Sequence, residues 1–473
     1  MTLIADLTDL LGPAHVLTGA DMDRHAQDWT GKYPGQPVAV VRPGDTGEVS
    51  ACLRLAARHG VAVVPVSGNT GLVGGTYTQG GLLIALERMN RIRDLNPVTR
   101  IATVEAGVIL SALHDAAADQ GLYFPLWFGA RGSAMIGGVL STNAGGSNVL
   151  RYGSTRALCL GLEVVLADGR VLNLMSSLHK DNSGYALRDL FIGAEGTLGI
   201  ITAAVMKLVP APRAYATATL ALRNLADASV LLNRLQEASG GLVEAFEFMP
   251  ASYSRRLAQV RPDLGLPFGE VPEVTILTEL GATSPALCDT GEDGSVPLSG
   301  LLEVTVAALM EEGLITDAIV AQSEAQRRAM WARREAAAEI TFAKRPFVDT
   351  DIAVPLDRAA EFLAAIHARL DAVEQAHETM TVAHLGDGNL HFTVFPVDGS
   401  EATYDRVITM IEDVVADLHG SFSAEHGVGL SKLASMARRK DAAALDVMRA
   451  IKAALDPEGR MNPGKVIPTE STP

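Results

Sequence analysis

Short apolar runs separated by glycine-rich turns dominate the first half of the chain. The runs VAVVPVSG, GLLIALERM and IATVEAGV have the length and composition of buried strands, and apolar residues at helical spacing over residues 109–120 predict a helix. In GLEVVLADGRVLNL, apolar stretches flank Asp168-Gly169, which is a strong hairpin signal. Residues 38–210 are therefore expected to form an α+β domain.

The pattern changes from residue 215 onward to longer helical runs with single strands between them. The helical runs are LADASVLLNRLQEAS, ALMEEGL and RAAEFLAAIHARLDAVEQ, and the strands are FEFMP and VTILTEL. Prolines in LVPAPRAYAT mark a boundary, and residues 281–300 have the composition of a surface loop. We expect domains at residues 1–212 and 213–418, followed by a C-terminal segment at 419–473.

The stretch VAHLGDGNLHFTV predicts a second hairpin with a histidine on each side of its turn. A two-residue type I′ turn at Asp387-Gly388 would pair His384 with His391 directly, with Cβ atoms about 4.5–5.5 Å apart. Two imidazoles at that separation can converge on a metal ion, and they can equally form a hydrogen-bonded structural pair. The hairpin alone leaves both readings open.

A carboxylate and another imidazole are adjacent in SAEHGVG, after a predicted helix at residues 404–418. With two histidines, Glu425 would complete a three-ligand metal set with open positions, which is typical of catalytic sites. In an extended segment His426 would point away from Glu425 and could act as a base. The alternative is an ordinary loop ion pair between the two side chains.

Three loops combine glycine with Ser, Thr and Asn, and they occupy residues 63–76, 129–153 and 191–202. Such loops can turn several backbone N–H groups toward one anion and allow a phosphate to approach closely. None has the P-loop or G-x-G-x-x-G spacing, which disfavours ATP and NAD. One such loop could be a structural turn, whereas three in one domain favour a single extended cofactor.

Composition narrows the function classes further. The 473 residues are 48% hydrophobic with a formal charge of −16, so the chain can bury large cores but offers no basic face for nucleic acid or anionic membrane. Cys52, Cys159 and Cys288 are far apart and in no CxxC pair, which favours a reducing, cytoplasmic compartment. The N-terminus lacks signal-peptide features, and no apolar stretch approaches the ~20 residues of a membrane span, so an integral membrane protein is not expected.

Several ordered motifs together resemble the flavoproteins of the vanillyl-alcohol oxidase and p-cresol methylhydroxylase (PCMH) type. These motifs are SGNTGLVGGT, GGVLSTNAGG, LFIGAEGTLGIIT, HLGDGNLH, AEHGVG and NPGK, and the resemblance spans residues 38–466. Within this group the chain is similar to D-2-hydroxyacid dehydrogenases that act on D-2-hydroxyglutarate or D-lactate. The resemblance implies a two-subdomain PCMH-type FAD-binding domain, a ferredoxin-like antiparallel-sheet substrate domain and a C-terminal segment that returns to the flavin.

The resemblance also implies which residues contact FAD. The pyrophosphate loop maps onto Ser67, Gly68, Asn69, Thr70, Gly71 and Leu72, and the other contacts onto Gly129, Ser133, Gly138, Thr142, Gly145, Gly196, Ile200 and Asn462. Some relatives attach FAD through histidine or cysteine, but residues 65–76 contain neither. Noncovalent FAD is therefore expected.

For the chemistry, the resemblance places metal ligands at His384, His391 and Glu425 and the base at His426. A divalent metal lowers the pKa of a substrate hydroxyl and orients it. Zinc is favoured because it is redox-inert, although iron(II) or manganese also suits these ligands. Arg334, in the W-x-x-R-E motif, is the candidate for the substrate carboxylate, and its alternative role is a solvated charge on a helix face.

Two other functions compete with this one: a zinc hydrolase that activates water, and a nonenzymatic flavin- or metal-binding protein. The partners expected for a dehydrogenase are a small 2-hydroxyacid and an electron acceptor, either an electron-transfer flavoprotein, a quinone or a cytochrome. A homodimer is the assembly considered.

Three positions differ from relatives that act on D-2-hydroxyglutarate. Those relatives usually carry a threonine, a lysine and an asparagine where this chain has Ala338, Asp349 and Thr393. A negative charge at Asp349 would repel a second substrate carboxylate. The substitution predicts a preference for D-lactate or another D-2-hydroxymonocarboxylate, unless Lys344 or Arg345 restores the positive charge.

Overall fold

A computed structural model of the chain describes residues 2–291, 294–373 and 377–469. Its helices are α1 (Leu3–Leu11), α2 (Asp23–Ala26), α3 (Thr46–Arg58), α4 (Leu110–Ala118), α5 (Ile136–Ser141), α6 (Val149–Tyr152), α7 (Thr155–Leu158), α8 (Arg188–Phe191), α9 (Ala228–Ser239), α10 (Ala251–Val260), α11 (Pro285–Cys288), α12 (Pro297–Glu311), α13 (Glu324–Glu335), α14 (Ala337–Phe342), α15 (Ala359–Val373), α16 (Glu401–Asp417), α17 (Leu433–Arg439) and α18 (Ala442–Leu455). Its strands are β1 (Val16–Leu17), β2 (Ala39–Val41), β3 (Val63–Val66), β4 (Leu82–Ala85), β5 (Ile92–Asn96), β6 (Ile101–Glu105), β7 (Leu122–Tyr123), β8 (Cys159–Val165), β9 (Val171–Leu174), β10 (Ile200–Lys207), β11 (Val209–Pro210), β12 (Ala214–Leu222), β13 (Val243–Pro250), β14 (Val274–Ala282), β15 (Asp317–Val320), β16 (Val348–Ala353), β17 (Glu378–His384) and β18 (Asn389–Phe395).

The chain divides into two compact units. Unit 1 comprises Met1–Gly145, Gly153–Pro210 and Glu425–Pro473, and unit 2 comprises Gly146–Tyr152 and Ala211–Ala424. The functional limits expected from the sequence, near residues 212 and 418, stay predictions. Among the described residues, no helix has both the length and the apolar character needed to cross a membrane.

Unit 1 contains two main sheets. In the first, β2, β4 and β3 are parallel neighbours and β1 pairs with β2 in the antiparallel direction. β2 and β4 are buried along their whole length, which is why they read as continuous apolar runs in the sequence. α3 covers this sheet, and its first turn begins where the Asp45 side chain accepts a hydrogen bond from the Glu48 N–H at 2.9 Å.

The second sheet of unit 1 is antiparallel, with strand order β5-β6-β10-β8-β9. The hairpin predicted at Asp168-Gly169 joins β8 to β9, and Gly169 has φ of +83°, as a tight turn requires. The helix predicted at residues 109–120 is α4. These two sheets agree with the two subdomains that the resemblance implies for this part of the chain.

Unit 2 is built on one seven-stranded antiparallel sheet with strand order β15-β12-β14-β13-β17-β18-β16. One face is covered by a large apolar core that includes Phe248, Phe392 and Leu390, together with residues of α9, α12, α15 and α16. The other face carries a smaller apolar cluster with Met249, Leu277 and residues of α13 and α14, and it leaves room for polar side chains. This is the ferredoxin-like antiparallel-sheet domain of the prediction.

The loop predicted at residues 281–300 is partly helical. The loop expected at residues 281–300 contains the short helix α11 and the first turns of α12, because Pro285 and Pro297 occupy first helical positions, where proline is favoured. Glu292 and Asp293 of that loop lie outside the described residues. So do Glu374 and Gln375, at the end of the helix predicted from residue 358.

Candidate active site

One face of the unit 2 sheet gathers polar side chains that are distant in the sequence. The strand register pairs Glu247 with His384, Val382 with His391, and Asp351 with His391. Directly paired residues share a face, and side chains alternate along each strand, so Glu247, His384, His391 and Asp351 all lie on the same face. Large apolar side chains fill the opposite face, which keeps these polar groups together.

The predicted two-residue turn at Asp387-Gly388 is wrong in its register. β17 ends at His384 and β18 begins at Asn389, and these two residues pair with each other. The connection has four residues because Leu385 is fully buried in the core and Leu385–Asp387 forms a 3₁₀ turn that ends at Gly388, with φ of +80°. A Cβ at Gly388 would lie 2.2 Å from the Val354 carbonyl oxygen, so the turn needs glycine there.

A shift of two residues preserves the face of every side chain. His384 and His391 are therefore diagonal neighbours, with ring centroids 5.6 Å apart and an interplanar angle of 81°. The convergence expected from the sequence survives although the predicted direct pairing does not.

Glu247 is a buried carboxylate with two partners on this face. Its Oε2 accepts a hydrogen bond from Arg334 Nε at 2.7 Å, and His384 Nδ1 lies 2.9 Å from its Oε1. Burial alone would raise the pKa of Glu247, but the adjacent His384 and Arg334 outweigh it and hold the pKa below its ordinary value. The sequence offered no signal for this role, because the partners lie 87 and 137 residues away.

Arg334 reaches the sheet because α13 presents every third or fourth residue to it. Arg327 binds Glu279 on β14 through two nitrogens, at 2.7 and 2.8 Å, and Arg334 binds Glu247 about two turns farther along. Tyr253 also donates its hydroxyl hydrogen to the Arg333 carbonyl at 2.6 Å, which fixes the end of this helix. With only 8% of its surface exposed, Arg334 is not the solvated helix charge of the alternative reading.

Asp351 is a buried acidic residue on the same face that the sequence analysis did not single out. A carboxylate oxygen of Asp351 and a ring nitrogen of His391 lie within 4.8 Å of each other. Asn389 Nδ2 donates to Asp351 Oδ1 at 3.0 Å and orients the carboxylate. The alternation of Asp349, Thr350 and Asp351 in β16 could have indicated that two acids share one face.

The chain leaves unit 2 beside Asp351, since the Ala424 N–H donates to the Asp351 carbonyl at 3.2 Å. Glu425 and His426 follow directly and begin the last segment of unit 1. The condition under which these side chains would point apart, an extended segment, is not met: the segment bends, and His426 Nε2 lies 3.7 Å from Glu425 Oε1. Both side chains are partly exposed.

The predicted FAD contacts all lie in unit 1, and the structure brings several of the glycine-rich loops together. A Cβ on Gly68 would lie 2.1 Å from the Ser133 carbonyl oxygen, and one on Gly138 would lie 3.2 Å from Ser67 Cβ. A Cβ on Gly196, which has φ of +73°, would lie 2.4 Å from Pro65 Cγ. Glycine at these positions lets the three loops approach one another closely.

Other predicted contacts face open space or brace the loops. An added Cβ on Gly71 or Gly129 would meet no atom within 4 Å, which leaves room for a ligand. Asn69, with φ of +52°, donates to the Gln27 carbonyl at 2.7 Å and accepts from the Thr76 hydroxyl at 2.7 Å. Thr142 donates its hydroxyl hydrogen back to the Gly138 carbonyl at 3.2 Å and closes α5.

Four further predicted contacts occupy positions in or beside these loops. Ile200 is the first residue of β10 and is buried. Gly145 ends the first segment of unit 1, and Thr70 and Leu72 lie in the loop after β3.

Glu195 ties the loops to the C-terminal segment, and the sequence analysis did not assign it a role. Its side chain accepts hydrogen bonds from the backbone N–H groups of Val428 at 2.7 Å and Gly429 at 2.8 Å. Burial raises the pKa of Glu195 despite these two hydrogen bonds. A Cβ on Gly427 would lie 2.7 Å from Glu195 Oε1, so glycine is needed for this close approach.

Asn462, the first residue of the NPGK motif, is hydrogen-bonded to the same group of loops. Its Nδ2 donates to the carbonyls of Gly75 at 2.9 Å and Glu195 at 2.7 Å, while its buried Oδ1 has no hydrogen-bond partner among the described residues. Burial also lowers the pKa of the neighbouring Lys465 to about 8. A buried acceptor without a donor, beside glycine loops with open space, fits a polar cofactor such as FAD.

The donor set on the unit 2 face also fits a metal. Imidazole nitrogens suit zinc, iron and manganese, and a nearby carboxylate adds a charged oxygen donor. Arg334 supplies a cation beside them for an anionic ligand. This combination suits a small molecule that carries both a carboxylate and a metal-binding oxygen.

Family models match both parts of the chain. Residues 37–175 match the FAD binding domain, and residues 211–466 match the C-terminal domain of FAD linked oxidases. These matches cover the glycine loops at residues 63–76 and 129–153 and the whole seven-stranded sheet, whereas the loop at residues 191–202 lies between them.

Two relatives and one solved structure are similar to this chain over most of its length. The chain is 37% identical over 462 residues to D-2-hydroxyglutarate dehydrogenase of Xanthomonas citri pv. viticola, which covers 96% of this chain and 94% of that protein. It is 36% identical over 461 residues to mitochondrial D-2-hydroxyglutarate dehydrogenase of Bos taurus, covering 97% and 82%. The fold matches p-cresol methylhydroxylase with substrate bound at 14% identity and a TM-score of 0.71, covering 98% of this chain and 96% of the other.

A fold match, two family models and relatives above one-third identity over nearly the full length lead to one assignment. The chain belongs to the FAD-dependent D-2-hydroxyacid dehydrogenases, within the FAD-linked oxidases.

Proposed function

We propose that the chain oxidises a D-2-hydroxyacid to the 2-oxoacid, with noncovalent FAD as the hydride acceptor and a divalent metal ion at the substrate hydroxyl. The observation that carries this proposal is the polar face of unit 2, where Arg334, His384, His391 and Asp351 lie together. Family membership favours this reaction over the zinc hydrolase and over a nonenzymatic binding protein.

Two bound groups would supply chemistry that side chains lack. FAD accepts a hydride at N5, and a divalent metal lowers the pKa of the coordinated hydroxyl by several units. We assign the metal to His384, His391 and Glu425, with Asp351 as a further oxygen donor. Chain continuity supports Glu425, because it follows Ala424, whose amide is bonded to Asp351. Zinc is the first choice, and iron(II) or manganese suits the same donors.

His426 would accept the hydroxyl proton while the α-hydrogen leaves as hydride. Its ring nitrogen lies 3.7 Å from the Glu425 carboxylate, which would stabilise the imidazolium that forms. Arg334 would bind the substrate carboxylate through its terminal nitrogens, since its Nε is already engaged by Glu247. Together these groups would fix which face of the α-carbon gives up its hydrogen.

The relatives are named for D-2-hydroxyglutarate, yet we propose that this chain prefers D-lactate or a larger D-2-hydroxymonocarboxylate. Asp349 precedes Asp351 by two residues in β16, so both side chains lie on the face that carries His391. Asp349 also accepts a hydrogen bond from Thr393 at 2.7 Å. A second substrate carboxylate near this pair would meet negative charge.

The cations that could offset Asp349 are engaged elsewhere. Lys344 forms an ion pair with Glu378 at 2.7 Å, and the Arg345 guanidinium lies 5.2 Å from the Phe347 ring centroid. Either would have to give up that contact to neutralise a dicarboxylate.

The electron acceptor, an electron-transfer flavoprotein, a quinone or a cytochrome, stays a prediction, as does the homodimer. A cytoplasmic location is supported by the three cysteines, which are all unpaired. The bovine relative is named as mitochondrial, so fractionation of the source cells is the test.

Anaerobic titration of the purified flavoprotein with a panel of D- and L-hydroxyacids tests the reaction directly. We expect D-2-hydroxyacids to bleach the oxidised flavin spectrum and L-isomers to leave it unchanged. A colourless protein, or a flavin that no D-2-hydroxyacid reduces, would refute the proposal. Acid precipitation should release FAD into the supernatant, and flavin that stays with the pellet would mean covalent attachment.

A further inference from the structure

One buried carboxylate touches two of the proposed functional residues at once. Glu247 is 1% exposed, and its Oε2 accepts a hydrogen bond from Arg334 Nε at 2.7 Å. His384 Nδ1 lies 2.9 Å from both carboxylate oxygens of Glu247. Because a carboxylate only accepts hydrogen bonds, Nδ1 of His384 carries the hydrogen in this contact. The lone pair of the imidazole is then on Nε2, the nitrogen that can bind a metal.

Pairing with Glu247 on β13 and Asn389 on β18 holds the backbone of His384 in the sheet, but it does not fix the rotation of the imidazole ring. β13 and β17 pair over two residues only, Glu247 with His384 and Phe248 with Ala383. His384 is also the last residue of β17, where the chain turns into the Leu385–Asp387 segment. The side-chain contact with Glu247 therefore supplies orientation that the strand end does not.

We infer that Glu247 is a positioning residue that aligns the metal-binding nitrogen of His384 and the carboxylate-binding end of Arg334 through one shared side chain. This inference rests on the proposed function of those two residues. It adds a coupling between the metal site and the substrate carboxylate, because displacement of one partner disturbs the acceptor that holds the other.

Glu247→Gln would break this arrangement while keeping the side chain at the same size. The amide has one accepting oxygen and one donating nitrogen, so it can satisfy only one of the two donors. If the amide nitrogen faced His384, the ring would have to move its hydrogen to Nε2 and lose its metal-binding lone pair. If it faced Arg334, two donors would oppose each other and the guanidinium would rotate away.

Glu279 provides a matched control on the same sheet face. It is 4% exposed, lies on the neighbouring strand β14, and binds the same helix through Arg327 and Trp331. Its hydrogen-bond partners are Thr217, Arg327 and Trp331, which have no proposed part in the reaction. Removing its charge therefore tests the general cost of a buried salt bridge to α13.

The experiment compares the FAD-loaded wild type with Glu247→Gln, Glu247→Asp and Glu279→Gln. Zn²⁺ is titrated out with a chelator and retained metal is measured by elemental analysis, while KM and kcat are measured for D-lactate with an artificial electron acceptor. We expect Glu247→Gln to bind Zn²⁺ 10–100-fold more weakly and to raise KM by about tenfold, with the flavin spectrum unchanged. Glu247→Asp keeps two accepting oxygens, so its Zn²⁺ affinity and its KM should lie between those of the wild type and those of Glu247→Gln.

Glu279→Gln should lower the melting temperature but leave metal retention and KM at wild-type values. Glu247→Gln with wild-type metal retention and KM would overturn the inference, and so would a Glu279→Gln variant with the same losses. If Glu247→Gln does not fold, Glu247→Asp decides on the same two measurements. A wild type that turns over without metal would instead overturn the metal part of the proposed function, and with it the His384 half of this inference.

Discussion

The two units of this chain build their candidate sites from different parts of the polypeptide. In unit 1 the glycine loops offer backbone N–H groups and close approaches, such as Gly68 against Ser133. In unit 2 the site consists of side chains, Glu247, Arg334 and His384 among them, held on one face of a sheet.

The difference teaches how each site tolerates change. A backbone site depends on the absence of a Cβ, so any side chain in a packed position is a steric fault regardless of its chemistry. A sheet-face site depends on charge and hydrogen bonding, so a change of similar size can remove function and preserve the fold. Substitutions in the two units should therefore fail in distinguishable ways.

The largest effect is expected from His426→Ala. Removal of a general base typically costs 10²–10⁴-fold in rate, and FAD and metal should both be retained because the base is needed only in the transition state. Stopped-flow measurement of flavin reduction, with elemental analysis, checks both statements. His179→Ala, at an exposed histidine, is the control. Loss of metal together with activity would make His426 a ligand instead.

A comparable loss is expected in metal binding for His384→Ala and His391→Ala. Removing a ligand should weaken Zn²⁺ binding by more than the 10–100-fold typical of second-sphere changes, while the flavin spectrum persists because the FAD loops belong to unit 1. Elemental analysis after dialysis measures this. His367→Ala, a half-buried histidine on α15 that contacts Thr379, should keep its metal. Stoichiometric metal in either ligand variant would contradict the assignment.

A smaller but purely steric effect is expected from Gly68→Ala. The new Cβ would lie 2.1 Å from the Ser133 carbonyl, and forced overpacking typically costs about 1–3 kcal/mol. Denaturant unfolding of the FAD-free protein should show this loss of stability, and FAD affinity should fall with it. Gly71→Ala, in the same loop with no atom within 4 Å, should leave FAD-free stability unchanged. Equal stability of the two variants would contradict the distinction drawn between the units.

The smallest effect is expected from Asp349→Lys. Reversing this charge on the substrate face should raise the ratio of kcat/KM for D-2-hydroxyglutarate over D-lactate by about tenfold, roughly 1.4 kcal/mol. Asp357→Lys makes the same charge change at an exposed turn and should leave the ratio as it is. If the wild type already favours D-2-hydroxyglutarate over every monocarboxylate, the proposed preference is wrong.

Much of the fold could be predicted because its signals are local. Apolar runs gave the buried strands of unit 1, helical spacing gave α4 and α16, and Asp168-Gly169 gave the β8–β9 hairpin. Period-two alternation placed His384 and His391 on one face even though the predicted turn was two residues too short. The sheet face that a side chain occupies depends on the alternation along its own strand. An error of two residues in the pairing register therefore leaves that face unchanged.

By itself the sequence singled out the candidate residues for chemistry: the glycine loops, the two histidines, Glu425-His426 and Arg334. Only the tertiary structure decided their partners. Glu247 meets His384 from 137 residues away, and Glu195 meets Val428 from 233 residues away. Side-chain periodicity is set by local backbone geometry, whereas the neighbours of a buried charge depend on which strands and loops pack together. The sequence pattern around one residue does not encode that pairing.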